Sequence, residues 1–320
     1  MKQDNKKQLD RKKKRHKVML QLKRDWILYL FMLPALLWIL IFHYWPIYGI
    51  QIAFQDYKIG QAFGTSEWVG LKYIKQFFSS YWFPVVMKNT IVISLLSFAV
   101  SFPIPIILAL LMNEMRNYRL KKTVQTITYA PHFISTVVLC GTLNLFLSPD
   151  SGLIGIGVNA LRDLLGMEPI NLLMSGPSFK WIYALSGVWQ GAGWGTVVYM
   201  AALAAVDQEQ IEAATIDGAS KVQRIWYINL PVLLPVIVIQ LIMNCGGILG
   251  VGFEKVYLLQ NNTLIGYSEV ISTYVYRVGI TGGQFSFGSA VGLFNNVVNS
   301  LILILVNSIV RKVDESMSLF

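Results

Sequence analysis

The sequence predicts an all-α integral membrane protein with six transmembrane helices, and three observations carry that prediction. Of 320 residues, 54% are hydrophobic and 14% charged. An ordinary soluble domain carries about 25% charged residues, so this chain has too few charges to cover a water-facing surface. The charges are also clustered, leaving six charge-free windows at 26–55, 89–113, 123–149, 181–206, 225–253 and 278–310. Each can supply the roughly 20 apolar residues that a helix needs to cross the hydrocarbon core. Runs such as Leu36-Leu37-Trp38-Ile39-Leu40-Ile41-Phe42 do not alternate, as the strands of a membrane β-barrel would.

Taken in order, the windows place helices near 28–48, 89–112, 127–147, 181–203, 232–250 and 288–310. The first runs into His43-Tyr44-Trp45-Pro46, an aromatic cluster of the interfacial kind. No small-residue cleavage site follows it, so it reads as an anchor and not as a removable leader. Pro103 and Pro105 are expected to kink the second helix. The segment 57–88 reads as an exterior connection, and 261–289 as an exterior loop with one short helix near 268–278.

With six spans both termini share one side. That side holds 19 of the 27 Lys and Arg residues, 11 of them in residues 1–25. The positive-inside rule puts it in the cytoplasm. The tail 1–25 is then a basic cytoplasmic segment drawn to lipid headgroups, ahead of a membrane domain over 26–320. The net charge of +10 is a topology signal, and nucleic acid is not an expected partner.

Most catalytic chemistry is excluded. Cys140 and Cys245 fall inside expected spans as small apolar residues. His16, His43 and His132 lack ligand spacing, so no metal site is expected. Neither a phosphate-binding loop nor a nucleophile elbow occurs. No catalytic residue and no cofactor is assigned to this chain, which is not read as an enzyme. An intramembrane enzyme or a standalone secondary transporter would need paired or relayed ionisable groups within the spans, and the charge-free windows offer none.

The most informative segment joins the fourth and fifth spans. Residues 207–217 suit a short helix with acids in its first turn. Gly218 can end it with a positive φ. Residues 220–229 suit a second short helix, and Pro231 then opens the fifth span. Ala213, Ala214 and Gly218 give a side-chain-poor surface with the carboxylate of Glu212 beside it. From the residues alone, this is either a plain interfacial hairpin or a docking site.

The pattern Glu212-Ala213-Ala214, then Gly218, then Ile228, Leu230 and Pro231 resembles the EAA motif of permease subunits of binding-protein-dependent ABC importers. Pro34-Ala35, the stretch Phe42–Phe54 and Phe253–Leu259 resemble the carbohydrate branch, and the stretch from Phe42 looks most like its LplB-type permeases for complex oligosaccharides. The basic tail lies outside the resemblance. What it implies is a type I ABC importer permease fold in a bacterial cell membrane. The implied partners are a second, homologous permease in a heterodimer, two ATPase subunits that bind ATP and Mg, and a lipid-anchored or periplasmic sugar-binding protein outside. The loop 207–231 would seat in an ATPase groove. Glu212 would pair with a basic residue there, Ala213, Ala214 and Gly218 would permit close packing, and Asp217 would cap the turn.

A sugar pathway needs aromatic faces and polar groups. By resemblance to maltose-type permeases, Gln190, Gly191 and Trp194 occupy pathway positions. Trp189 and Trp194 suit either pathway lining or helix packing. Asn244 precedes Gly246, Gly247, Gly250 and Gly252, which suggest a loosened helix. This glycine-rich stretch departs from the asparagine-rich one of maltose-type permeases, so their sugar contacts do not carry over. Asn295, Asn296 and Asn299 suit the pathway or hydrogen bonding between helices.

Overall fold

The computed structural model describes Gln21, residues 23–61 and residues 64–320. Apart from its last residues, the basic tail lies outside the described part. Among the described residues the chain is helical throughout, with one isolated antiparallel bridge between Gln55 and Trp68. Among the described residues, four helices are long and apolar enough to cross a membrane: α1 (Trp26–Phe54), α3 (Trp82–Asn113), α9 (Lys221–Gly246) and α13 (Phe285–Val313). The short α2 (Lys72–Ser79) lies in the connection before α3.

The third expected span, 127–147, is corrected by the structure. It is the meeting of α4 (Tyr118–Phe133) and α5 (Thr136–Leu147), which are bent by 98°. The cause is local. Pro131 lies in a 3₁₀ turn over Ala130–Phe133. Ile134 is extended, and Ser135 starts a new helix by accepting a hydrogen bond from the Val138 amide at 3.3 Å. Counting this pair as one span gives five. After α6 (Leu153–Leu164) comes α7 (Gly176–Leu203), at the position of the fourth expected span. Its glycines, serines, Lys180 and Gln190 dilute its apolar character, and it is not among the four. It packs against α3, α4 and α9, burying Phe179, Ala184, Ala192, Tyr199 and Leu203.

Prolines reshape two of the long helices. A π turn at Leu40–Tyr44 precedes Pro46, and another at Ile225–Asn229 precedes Pro231. A proline has no N–H and its ring crowds the carbonyl of the previous turn, so the winding loosens just before it. This corrects the expected hairpin. Residues 220–229 are not a separate second helix, because the chain is helical without interruption from Lys221 to Gly246. The fifth span also stops short of residue 250. Gly247 ends it, and tight turns follow, with the Gly250 amide donating to the Gly247 carbonyl at 2.7 Å.

The hairpin's other half, α8 (Gln208–Ile216), matches expectation. Asp207 caps its start through the Glu209 amide at 3.0 Å. At its end the Ala219 amide donates to the Ala214 carbonyl at 2.9 Å and the Gly218 amide to the Thr215 carbonyl at 3.2 Å. This paired closure requires a left-handed residue between them, and Gly218 supplies it at φ +81°.

Beyond α9 come α10 (Phe253–Leu259), α11 (Ile265–Ser268) and α12 (Ile271–Tyr274), the last continuing as a π turn over Val275–Thr281. The expected helix near 268–278 is therefore broken at Glu269 and Val270. That break buries the Glu269 carboxylate, which accepts two hydrogen bonds from Arg277 at 2.7 Å, so the pair is not simply solvated. One apolar cluster, Ala109, Leu110, Tyr199, Leu203 and Leu233, joins α3, α7 and α9 at their hairpin end. By contrast, no residue of Trp26–Ile39 in α1 is buried.

Candidate functional site

Two features adjoin α7, a cavity along its length and the hairpin that follows its last turn. The first is a cavity of about 580 Å³ between α3, α7 and α9. On α3, Ser94, Ser97 and Ser101 form a helical stripe facing it, beside Phe98 and Phe102, whose rings stack at 5.0 Å. The Ser94 and Ser97 hydroxyls are buried with no partner. On α7, Gly187, Gly191 and Gly195 recur every fourth residue, and their missing side chains open the groove. Gln240, Asn244 and the turn Gly247–Val251 close the third side. The lining mixes hydroxyls and amides with aromatic rings, glycines and the aliphatic Val197, Val198, Ile248 and Val251, with no charged residue.

Of the expected pathway residues, Gly191, Trp194 and Asn244 line this cavity. Trp194 also packs, stacking on His132 at 4.7 Å with the rings 1° from parallel. Gln190 faces elsewhere. Its side-chain amide donates to the Ile134 carbonyl at 2.8 Å and so satisfies the bend between α4 and α5. Trp189 lies on another face, in an apolar groove with Leu139, Phe146, Trp181 and Leu185. Asn299 accepts from the Leu249 amide at 3.0 Å, holding the turn that follows α9. Asn295 keeps a buried, unpartnered carbonyl oxygen and is not in the lining.

The second feature is the hairpin. Glu212, Ala213, Asp217 and Gly218 are exposed and Ala214 is half-buried. Asp217 ends α8 through its backbone amide, bonded to the Ala213 carbonyl at 2.9 Å. Apolar side chains beside it are bare, with Ile216 86% and Trp226 62% exposed. The hairpin is fixed from behind by Arg224, which donates to Glu114 at 2.8 Å and to Thr215 at 3.2 Å. Asn229 donates to the other Glu114 oxygen at 3.1 Å. Sequence reading missed this cluster, since Arg224 had counted only toward topology and Glu114 sits 110 residues away. It missed the serine stripe too, although the spacing of 94, 97 and 101 in an apolar helix was a readable signal.

A bundle of apolar helices around a cavity of mixed polar and apolar lining, joined to an exposed helical hairpin, has the outline of a membrane transport component. The chain belongs to the family described as binding-protein-dependent transport system inner membrane component, whose profile matches residues 101–318. It is 42% identical over 305 residues to the polygalacturonan/rhamnogalacturonan transport system permease protein YteP of Bacillus subtilis (strain 168), covering 95% of this chain and 94% of that protein. It is 41% identical over 297 residues to protein LplB of the same strain, covering 93% and 92%. Among solved structures, a chain of a bacterial ABC transporter involved in import of the acidic polysaccharide alginate superposes with a TM-score of 0.83 at 38% identity, covering 93% of this chain and 99% of that one.

Proposed function

We propose that this chain is one membrane-spanning half of an ATP-driven importer that moves oligosaccharides, derived from complex polysaccharides, from an external solute-binding protein into a bacterial cell. The observation that carries the reading is mechanical. The helix that lines the cavity, α7, ends at Leu203 and is followed after a short turn by α8, so the cavity wall and the exposed hairpin are consecutive elements. Both termini lie in the cytoplasm, and α1, α3, α4–α5, α7, α9 and α13 account for six crossings. A second, homologous permease completes the pathway.

Two partner ATPases, which hold ATP and Mg, dock on the loop 207–231. Glu212 pairs with a cation in their groove, and the small side chains of Ala213, Ala214 and Gly218 allow close approach. The bare Ile216 and Trp226 add apolar contact area. Closure of the ATPases pushes α8, and α7 and α9 carry the motion to the cavity. The loaded binding protein favours the same outward-open state, and hydrolysis releases it. Within the cavity, Trp194 and the α3 phenylalanines offer sugar-stacking faces, and Asn244 and the serines meet hydroxyls. The names of the relatives, YteP among them, support the substrate class.

The test is purification from a native operon. The chain should co-purify with a second permease and an ATPase, and reconstituted vesicles should take up oligosaccharide only with ATP inside and the binding protein outside. A transport-active single chain would refute the reading.

A further inference from the structure

Lys255 lies in α10 beside the cavity and is only 9% exposed. Its ammonium donates to the Tyr183 carbonyl at 2.8 Å and lies over the Tyr183 ring at 4.7 Å. Both contacts are neutral groups. Among the described residues, no carboxylate forms an ion pair with it. A buried cation without a counter-ion is costly, and inside a membrane domain such a group marks a ligand or ion path. Its position fits that. Tyr183 and Gly187 both line the cavity, and a methyl group placed on Gly187 would come within 3.4 Å of Nζ. Lys255 itself stands behind the lining, and position 187 has no side chain to fill the space beside its ammonium. By contrast, the buried carboxylate of Glu269 is paired with the part-exposed Arg277, and the nearly enclosed Glu114 with Arg224.

We infer that Lys255 is the counter-charge for an anionic sugar in the cavity, and that it selects oligosaccharides carrying carboxylates, that is, uronates. This rests on the importer reading above. The neutral lining handles hydroxyls and ring faces. The carboxylate replaces the Tyr183 carbonyl as the acceptor for Lys255, as a charge-assisted hydrogen bond stronger than a neutral one.

The experiment uses the full complex in proteoliposomes with its binding protein, and compares uptake of trigalacturonate and its neutral methyl ester. A charged hydrogen bond is worth enough to change uptake by about tenfold or more. Lys255→Met should cut trigalacturonate uptake by about that factor while lowering ester uptake far less, and Lys255→Arg should retain most trigalacturonate uptake. Equal losses for both sugars in Lys255→Met, or an arginine variant as poor as the methionine one, would overturn the inference. If the variants do not assemble, the wild-type complex is treated with carbodiimide-activated trigalacturonate. An amide at Lys255 in the peptide map supports the site, and its absence overturns it. Failure of the wild-type complex to take up any oligosaccharide would instead sink the importer reading.

Discussion

Arg224 and Glu114 meet at 2.8 Å with both side chains nearly enclosed, tying the base of the hairpin to the end of α3. Asn229 completes the tie on the second carboxylate oxygen. These bonds tie the hairpin to α3 and α9, a connection that the proposed coupling role requires. Removing one partner of a buried pair leaves an unpaired charge and typically costs about 3–5 kcal/mol. Arg224→Met is expected to lower the Tm of the complex and raise ATP hydrolysed per sugar moved. Glu114→Gln leaves the Arg224 guanidinium without its counter-charge and one of the two donors without an acceptor, and should act in the same direction. Unchanged coupling in Arg224→Met would remove that role.

Gly218 tests the hairpin's end independently. No atom lies within 4 Å of a side chain placed there, so strain and not crowding governs substitution. A branched residue in the left-handed region costs roughly 1–2 kcal/mol, whereas asparagine tolerates it better. Thermal melts of the complex should rank glycine above asparagine above valine. Equal melts for asparagine and valine would show that the φ of +81° is not what the position requires.

Two glycines on α7 should behave oppositely. A Cβ on Gly193 would fall 2.0 Å from the Thr128 carbonyl, while one on Gly191 meets nothing within 4 Å. Gly193→Ala forces α4 off α7 and is expected to cost about 1–3 kcal/mol, as overpacking does. Gly191→Ala should leave the Tm unchanged or higher, since alanine favours a helix over glycine by roughly 0.5–1 kcal/mol, yet its methyl enters the cavity and should slow uptake. Differential scanning fluorimetry and uptake rates on the two variants decide this.

Tyr73, in the connection before α3, donates its hydroxyl to Asp56, and Lys72 lies 3.8 Å from the same carboxylate. Burial first, and the bond to Asp56 second, push the Tyr73 phenol up to about 12, and the phenol holds the Asp56 carboxyl below its usual range. A raised phenol pKa means that the fold favours the neutral form. Its stabilising effect is complete below the ordinary value near 10 and fades as pH rises through about 12. Difference absorbance should show Tyr73 ionising near 12, and Asp56→Asn should lower that midpoint only partly because burial remains. An unshifted midpoint in the variant would mean that the bond contributes nothing.

Much of the molecule was legible before any coordinates. The lone glycine in Asp217-Gly218-Ala219 announced a left-handed helix end, because φ preferences act at single residues, whereas Asp207, read within the first turn, is the cap before it. The glycines after Asn244 were read as a loosened helix continuing to residue 250, whereas they end it at Gly246. The expected second hairpin helix failed because Pro231 was read as a start signal, while a π turn absorbed it inside a continuous helix. The straight third span failed because apolarity cannot report a turn when Pro131 and Ser135 break the backbone and a distant amide, Gln190, pairs the freed carbonyl. Three of the expected pathway residues line the cavity. Trp189 and Gln190 do not, since neighbours along a helix point about 100° apart and a motif does not say which way.

By itself the sequence determined that this chain belongs in a membrane, which stretches are broadly helical, and that its hairpin ends in a left-handed glycine, all of which depend on composition and nearest neighbours. Only the tertiary structure decided which polar groups meet: Glu114 with Arg224, the serines of α3 across from the glycines of α7, and Lys255 against Tyr183. Those pairings join residues far apart in the chain, and their energies exist only once helix packing has fixed distance and excluded water.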